Sequence, residues 1–285
     1  MKKVFRINNK IIVEGGVYHI TQRAPGTEKL FLEDSDYLYF LHLLKEVSSR
    51  YAVEIYSFVL MPNHVHILLK IRDVNLSEAM KKLYQRYAVY FNIKYQRKGH
   101  VFSGIYRASL CKSDFYLLAI SLYIHLNPVK AGIVQRAQDY RWSSLLVYSD
   151  GKKSKFVSSD MIFNILSKEK VTAKSYYQDL VERGYKFEYE NCFKSKRWLF
   201  SFAEGLKKSL LGFSELRSKE ARDFLELEKK IAEVKLTKRA RKPQDMAAKK
   251  YLIQQLVSTG YCREEIIFKT GLSRQTIYEI LNKSS

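Results

Sequence analysis

The sequence predicts an α+β fold in which helices pack on an antiparallel sheet, followed by a helical C-terminal region. Three observations support this class. Apolar runs with the length of strands occur within residues 11–22 and 53–71. The segments between and after them repeat apolar residues at helical spacing. The order strand, helix, strand, strand at the start is typical of an antiparallel sheet with helices on one face.

The first elements along the chain are a strand and a helix. Residues 11–22 predict the strand, which Gly15-Gly16 interrupts as a break or bulge. His19 follows this break, and we expect it to line the floor of a site rather than to bind a metal. Residues 35–51 repeat apolar side chains at helical spacing, and residues 76–95 do so again, so each segment predicts a helix.

Two imidazoles stand at alternate positions of the central strand pair. The apolar runs within residues 53–71 flank Met61-Pro62-Asn63, and the second run carries His64 and His66. Side chains alternate along a strand, so both histidines point to one face, with their backbones about 6–7 Å apart. They can hold one divalent cation if a third ligand comes from elsewhere. Two hydrogen-bonded core histidines are the alternative that this motif alone leaves open.

A phenol and an amide follow on a later helix. Residues 116–130 predict a helix that ends near Asn127-Pro128. Tyr123 and Asn127 are four residues apart, so they lie on one helix face. Pro128 disfavours the helical conformation at Asn127, which places the amide at the helix end, where it can turn toward a partner. The metal then has a candidate third ligand in Asn127, and the phosphate that it polarises has a candidate nucleophile in Tyr123.

Four sequence motifs in this order resemble a known family. His64-Val65-His66 resembles the His-hydrophobic-His signature of single-tyrosine HUH transposases, the IS200-like superfamily. The surrounding stretches resemble the branch called REP-associated tyrosine transposases: GGVYHITQRAPG, MPNHVHILL, GHVFSGIY and YIHLNPVKAGIV. The resemblance covers residues 13–149 and continues more weakly beyond. It implies an HUH, ferredoxin-like palm as the catalytic domain in residues 1–150.

This resemblance implies a metal-dependent nuclease and strand transferase for single-stranded DNA. Such transposases recognise DNA hairpins and form a 5′-phosphotyrosine, which leaves a free 3′-OH. Tyr123 matches the nucleophile, and His64, His66 and Asn127 match the ligands of Mg²⁺ or Mn²⁺, although imidazole also accepts Zn²⁺. Related enzymes differ in the polar side chain at the position of Asn127. A phosphotyrosine conserves the energy of the broken phosphodiester, so no nucleotide cofactor is needed.

The residues leave other assignments open. His125 is the alternative ligand, although it lies on a different helix face from Tyr123. Tyr106 and Tyr116 are alternative nucleophiles that lack a companion ligand four residues later. A catalytically silent DNA-binding regulator on the same fold is the alternative function, but binding alone does not require the intact set of histidines, tyrosine and amide. A replication initiator or relaxase would share the chemistry, yet no helicase segment or second tyrosine close to Tyr123 on its helix face accompanies it.

The charge of the chain predicts a polyanionic partner. Its 285 residues carry 50 Lys and Arg against 29 Asp and Glu, a net charge of +21. Membrane surfaces and nucleic acids both attract such a protein. The 21 Tyr and 16 Phe favour single-stranded or hairpin DNA, because unpaired bases stack on aromatic rings. By resemblance, the candidate phosphate contacts of the first half are Lys81, Arg97 and Arg107.

The sequence predicts no membrane segment. No apolar run approaches the ~18–20 residues of a membrane span, and the N-terminus lacks the apolar core of a signal peptide. We therefore expect a cytoplasmic protein with no membrane partner, as a monomer or a homodimer. Its 3 cysteines are far apart and odd in number, which predicts reduced thiols rather than a disulfide framework or a cysteine zinc site.

Two further regions are predicted in the C-terminal half. Residues 151–243 form a helical region that ends in a basic linker, Lys229 to Lys242. Residues 244–285 then give helices on either side of Thr270-Gly271-Leu272, with Ser273 as the cap of the last helix, and this pattern predicts a helix-turn-helix. The last helix presents three side chains to base edges or phosphates in a DNA groove: Arg274, Gln275 and Tyr278.

Overall fold

A computed structural model of the chain describes residues 4–7, 10–111, 114–149, 154, 156–184, 230–231, 233–234, 243–258 and 263–282. The chain divides into two compact units, Met1–Ser209 and Leu210–Ser285. Within the described residues, none of the helices is both long and apolar enough to cross a bilayer.

The first unit is built on a four-stranded antiparallel sheet. Its strands are β3 (Val17–Arg23), β4 (Val53–Met61), β5 (His64–Ile71) and β6 (Arg107–Leu110), in the order β4-β5-β3-β6. Helix α1 (Asp34–Arg50) connects β3 to β4, and helix α2 (Leu76–Lys94) connects β5 to β6. Strands β1 (Val4–Ile7) and β2 (Lys10–Val13) form a separate hairpin. This βαββαβ order is ferredoxin-like, and the predicted α+β class is confirmed.

The strand register brings three polar residues of β3 onto the histidine face of β5. Thr21 pairs with His66, and Arg23 pairs with His64. Directly paired residues of antiparallel strands point to the same face, and His19 shares that face with Thr21 by alternation. The predicted break at Gly15-Gly16 is confirmed, because β2 ends at Val13 and β3 begins at Val17.

Helices cover both faces of the sheet. Ile67 and Leu68 are adjacent on β5 and both are fully buried, although they point to opposite faces. Helix α3 (Asp114–Lys130) packs on β4 and β5 and covers the face of His64 and His66. Helix α2 lies on the opposite face, where it lines a groove together with Gln22. The tyrosine helix therefore covers the face to which the two histidines point.

Helix α3 runs further than the sequence predicts. It continues through Pro128 to Lys130, whereas we expected it to end near Asn127. The amide of Ala131 still donates to the carbonyl of Asn127 at 2.9 Å. Proline removes the hydrogen bond that its own nitrogen would donate and its ring crowds the carbonyl one turn earlier, yet the helix continues for one short turn after Pro128. Asn127 is accordingly a helical residue whose side chain keeps the direction set by the helix.

Further helices pack against α3. They are α4 (Leu145–Ser149), α5 (Asp160–Leu166) and α6 (Lys170–Gly184), after a short 3-10 helix at Ala137–Asp139. Helices α5 and α6 and the 3-10 helix lie directly against α3, and Tyr148 of α4 packs on His125 of α3, with ring centroids 4.8 Å apart. The first compact unit thus extends past residue 150, where the sequence predicts a domain boundary. The assignment of separate roles to residues 1–150 and 151–243 stays a prediction.

The second unit contains three helices in its described part, α7 (Pro243–Ser258), α8 (Arg263–Thr270) and α9 (Arg274–Asn282). The predicted cap is present, since the amide of Thr276 donates to Ser273 Oγ at 3.1 Å. Gly271 has a φ of +66°, which suits the turn between α8 and α9. Their DNA-binding role stays a prediction.

Part of the predicted basic linker belongs to the core of the second unit. Ile231 and Val234 are buried in an apolar cluster with Leu252, Ile266 and Ile277. Both residues have a helical backbone, whereas the sequence predicts a linker at these positions. Several other predicted features lie outside the described residues. They are the remainder of the linker, Cys192, Cys262, and the helices that apolar spacing predicts around residues 198–211 and over most of residues 224–234. Cys111 is a free thiol, as predicted.

Candidate active site

Three histidines form a cluster on one face of the sheet. The Nδ1 atom of His66 lies 2.9 Å from Nε2 of His19 and 3.3 Å from Oγ1 of Thr21. The rings of His19 and His66 are stacked, with centroids 5.1 Å apart. Because Nδ1 of His66 is engaged by β3, its Nε2 atom is the one left to bind a ligand. His19 is thus a partner of His66, in line with the expected position on the site floor.

His64 bridges two amides. Its Nδ1 lies 2.7 Å from Oδ1 of Asn63, and its Nε2 lies 3.3 Å from Oδ1 of Asn127. Burial lowers the pKa of His64, so the ring is neutral and carries one N–H for two facing oxygens. With the amides oriented as they are, one nitrogen lone pair must face an oxygen lone pair. A bound cation between Nε2 and Oδ1 would turn this contact into an attractive one.

Tyr123 completes the cluster from α3. Its ring is 5.2 Å from the ring of His66, in an edge-on arrangement, and the ring of His64 is 5.0 Å from that of His66. Burial raises the pKa of Tyr123, and a hydrogen bond with Asn127 opposes this rise. The phenol is therefore protonated at neutral pH, and it needs help to become a nucleophile.

The sequence analysis missed Lys130. Its Nζ lies 5.5 Å from the centroid of the Tyr123 ring. Partial burial lowers the pKa of Lys130 to about 8. The spacing of Tyr123, Asn127 and Lys130 is i, i+4, i+7, which places all three on one helix face and is a signal that the sequence does contain. The sequence predicts that the helix ends near Asn127-Pro128, which places Lys130 beyond its end.

The alternative residues lie elsewhere. His125 is fully buried, with Nδ1 2.7 Å from the hydroxyl of Tyr177 and Nε2 2.8 Å from Oγ of Ser144. It is a core residue, and both ring nitrogens are engaged. Tyr106 packs against Tyr84 of α2, which lies on the opposite face of the sheet. Tyr116 is half-buried in the first turn of α3, about two turns before Tyr123.

The candidate DNA contacts differ in availability. Lys81 is exposed and lines a groove of about 630 Å³ between α2 and the loop at residues 99–106. Arg107 is exposed on β6. Arg97 pairs with Glu28 at 2.5 Å, so it must exchange this partner to reach a phosphate. In the second unit the three candidates are exposed on α9, where Gln275 donates to Glu279: Arg274, Gln275 and Tyr278.

Within the described residues, no group of three or more His, Cys, Asp or Glu side chains is arranged to hold a metal ion. The candidate ligand set differs from such a group, because its third donor is the amide oxygen of Asn127. Two neutral imidazoles and one amide oxygen remain a chemically suitable set for a divalent cation.

The family model described as "Transposase IS200 like" matches residues 13–127, from the end of β2 to Asn127 on α3. This segment is similar to IS200-like transposases, and it makes up less than half of the 285 residues. Among solved structures, the chain is similar to a REP-associated tyrosine transposase bound to a REP hairpin, with 16% identity and a TM-score of 0.44. This similarity covers 54% of this chain and 98% of that chain. No curated protein matches the chain.

The IS200-like transposase segment contains every residue of the candidate cluster except Lys130. His19, His64, His66, Tyr123 and Asn127 all lie within it. The helices α5 and α6 and the whole second unit lie outside it.

Proposed function

We propose that this protein is a metal-dependent transposase that cuts and rejoins single-stranded DNA through a 5′-phosphotyrosine on Tyr123. The observation that carries the proposal is the convergence of two distant segments. His64 and His66 on β5 meet Tyr123 and Asn127 on α3, with contacts of 3.3 Å between His64 Nε2 and Asn127 Oδ1 and 5.2 Å between the rings of His66 and Tyr123. A regulator that only binds DNA would not need this phenol beside two imidazoles.

The donor atoms fit a divalent cation. His64 Nε2 and Asn127 Oδ1 face each other at 3.3 Å, and an imidazole nitrogen and an amide oxygen are both donors that a divalent cation accepts. Burial lowers the pKa of His64 and that of His66, which keeps both imidazoles in the neutral form that binds metals. When bound, Mg²⁺ or Mn²⁺ would polarise the scissile phosphate.

The residues of the chain account for the covalent step. The phenol of Tyr123 releases its proton to solvent, its oxygen forms a bond to phosphorus, and the bond from phosphorus to the 3′-oxygen breaks. The 3′-oxygen leaves as a hydroxyl after it takes up a proton, and the 5′ end of the cut strand stays on Tyr123. The positive charge of Lys130, near the ring, favours the phenolate that attacks. In the reverse direction, a 3′-OH of another strand attacks the phosphotyrosine and restores Tyr123.

We infer that hairpin DNA with single-stranded tails is the substrate. The net charge of +21 supports a polyanionic partner. Lys81 and Arg107 are exposed cations of the first unit that can contact phosphates. In the second unit, α9 offers Arg274, Gln275 and Tyr278 as a helix-turn-helix surface for DNA. A cytoplasmic location and a monomeric or homodimeric state remain the expectations that accompany this function.

The function is tested by trapping the covalent intermediate. The purified protein is incubated with labelled single-stranded hairpins from the flanks of its own gene and with Mn²⁺, and a denaturing gel detects the protein–DNA adduct. Tyr123→Phe should abolish the adduct and keep nearly all DNA affinity, since one hydroxyl contributes only about 1 kcal/mol. Tyr116→Phe is the matched control and should keep the adduct. Hairpin binding by the wild type without any adduct would instead support the silent regulator.

A further inference from the structure

The hydroxyl of Tyr177, on α6, lies between two side chains of the tyrosine helix. It is 2.8 Å from Oγ of Ser121 and 2.7 Å from Nδ1 of His125. All three residues are fully buried. Ser121 and His125 are one helical turn apart, and Tyr123 lies between them in the sequence. One hydroxyl thus contacts α3 at two points along its axis.

Two further hydrogen bonds connect His125 to the sheet. Its Nε2 lies 2.8 Å from Oγ of Ser144, and that oxygen accepts a hydrogen bond of 2.9 Å from the amide of Phe58 on β4. Burial lowers the pKa of His125 to about 3, so the ring is neutral and has one donor and one acceptor nitrogen. The donor nitrogen and the acceptor nitrogen of His125 therefore suit its two hydroxyl partners, Tyr177 and Ser144. Helix α3 is therefore linked to α6 on one side and to β4, the neighbour of β5, on the other.

The helix geometry relates this linkage to Tyr123. Side chains two positions apart on an α-helix differ by about 200° around its axis. Ser121 and His125 therefore lie on the side of α3 roughly opposite to Tyr123. Contacts that hold Ser121 and His125 in place therefore fix the rotation of α3 about its axis, and with it the direction of the Tyr123 phenol. A rotation that shifted the helix by one residue, about 100°, would move the phenol away from His66.

We propose that Tyr177 is a positioning residue that holds α3 in the rotation at which the Tyr123 phenol faces His66. This role rests on the proposed nucleophile. It also gives a function to α6, which lies outside the matched transposase segment. Removing the hydroxyl takes one hydrogen-bond partner from Ser121 and one from Nδ1 of His125, both buried, and this weakens the attachment of α3 to α6. Small displacements of a reacting group lower rates by up to about 100-fold.

The test compares two substitutions of the same kind in the full-length protein. Tyr177→Phe removes the hydroxyl and keeps the ring, which packs 4.6 Å from that of Tyr148. Tyr87→Phe is the matched control, because Tyr87 is also fully buried and its hydroxyl donates to the carbonyl of Leu30, away from α3. For each variant we measure melting temperature, hairpin affinity, the rate of adduct formation at saturating hairpin DNA, and hydrogen exchange of the α3 amides.

If Tyr177 is a positioning residue, loss of its hydroxyl should lower the rate of adduct formation and leave hairpin affinity nearly unchanged. In Tyr177→Phe the adduct rate should fall about tenfold or more, with hairpin Kd within about twofold of wild type, and α3 amides should exchange faster. Tyr87→Phe, with a comparable loss of melting temperature, should keep the rate and the α3 protection. Ser121→Ala should lower the rate in the same direction and add little to Tyr177→Phe, since both remove one contact.

The outcomes separate this inference from the proposed function. If Tyr177→Phe leaves both the adduct rate and α3 exchange at the level of Tyr87→Phe, the positioning role is wrong even though Tyr123 forms the adduct. If the wild type forms its adduct on another tyrosine, the nucleophile assignment fails. In that case faster α3 exchange in Tyr177→Phe alone would show only an anchor for the helix, and the positioning role would be rejected with it.

Discussion

Replacing Lys130 should slow the covalent step and alter its pH dependence. The Nζ of Lys130 lies 5.5 Å from the centre of the Tyr123 ring. Two unit charges at that distance attract each other by about 3 kcal/mol at an effective dielectric of ~20, and by about 0.8 kcal/mol in bulk water. Since Lys130 is only partly buried, water screens this attraction, and the expected value is about 1 kcal/mol. This corresponds to roughly a fivefold change in the phenolate population.

The assay is the rate of adduct formation at saturating hairpin DNA between pH 6 and about 10. Lys130→Met should form the adduct about fivefold more slowly near neutral pH, with unchanged hairpin affinity. The pKa of Lys130 is lowered to about 8, so the wild type loses its positive charge above that pH and its rate should level off. Lys130→Arg stays charged, and its rate should continue to rise. Superimposable pH profiles for the wild type and both variants would refute this role of the charge.

Three further outcomes are expected. His64→Ala should lose both cleavage and the binding of Mn²⁺, which calorimetry measures. His100→Ala, at an exposed loop position, is the control and should keep both. Retained metal affinity in His64→Ala would contradict the ligand assignment. Hairpin affinity should fall steeply with salt and exceed affinity for blunt duplex, and a Kd that is constant across salt concentrations would count against phosphate contacts. Removing residues 210–285, the second compact unit, should weaken hairpin binding but leave cleavage of saturating substrate, and complete loss of cleavage in a folded truncate would show that this unit serves the chemistry.

The sequence was sufficient for the strands that carry His19, His64 and His66 and for helices α1, α2 and α3, but it did not predict strand β6 (Arg107–Leu110). Alternation along β5 and the four-residue spacing of Tyr123 and Asn127 are local regularities, and local regularities can be read from sequence. The family resemblance then joined the two segments, and the model of IS200-like transposases matches residues 13–127.

What the sequence could not supply are contacts that depend on packing. The hydrogen bond between His19 and His66 requires the register of β3 against β5, and no short-range pattern fixes that register. The link from Tyr177 to His125 joins residues 52 positions apart in the chain. Lys130 was missed for a different reason, because we gave Pro128 more weight than a last helical turn warrants.

The identity of the tyrosine that carries the DNA is the most direct test of the central claim. The wild-type adduct, formed on a hairpin with Mn²⁺, is digested with protease and nuclease, and the nucleotide-bearing peptide is sequenced by mass spectrometry. The geometry of the cluster predicts that the modified residue is Tyr123, in the peptide that also contains Asn127. A nucleotide on Tyr116 or Tyr106, or an unmodified Tyr123 in a preparation that cleaves DNA, would contradict it.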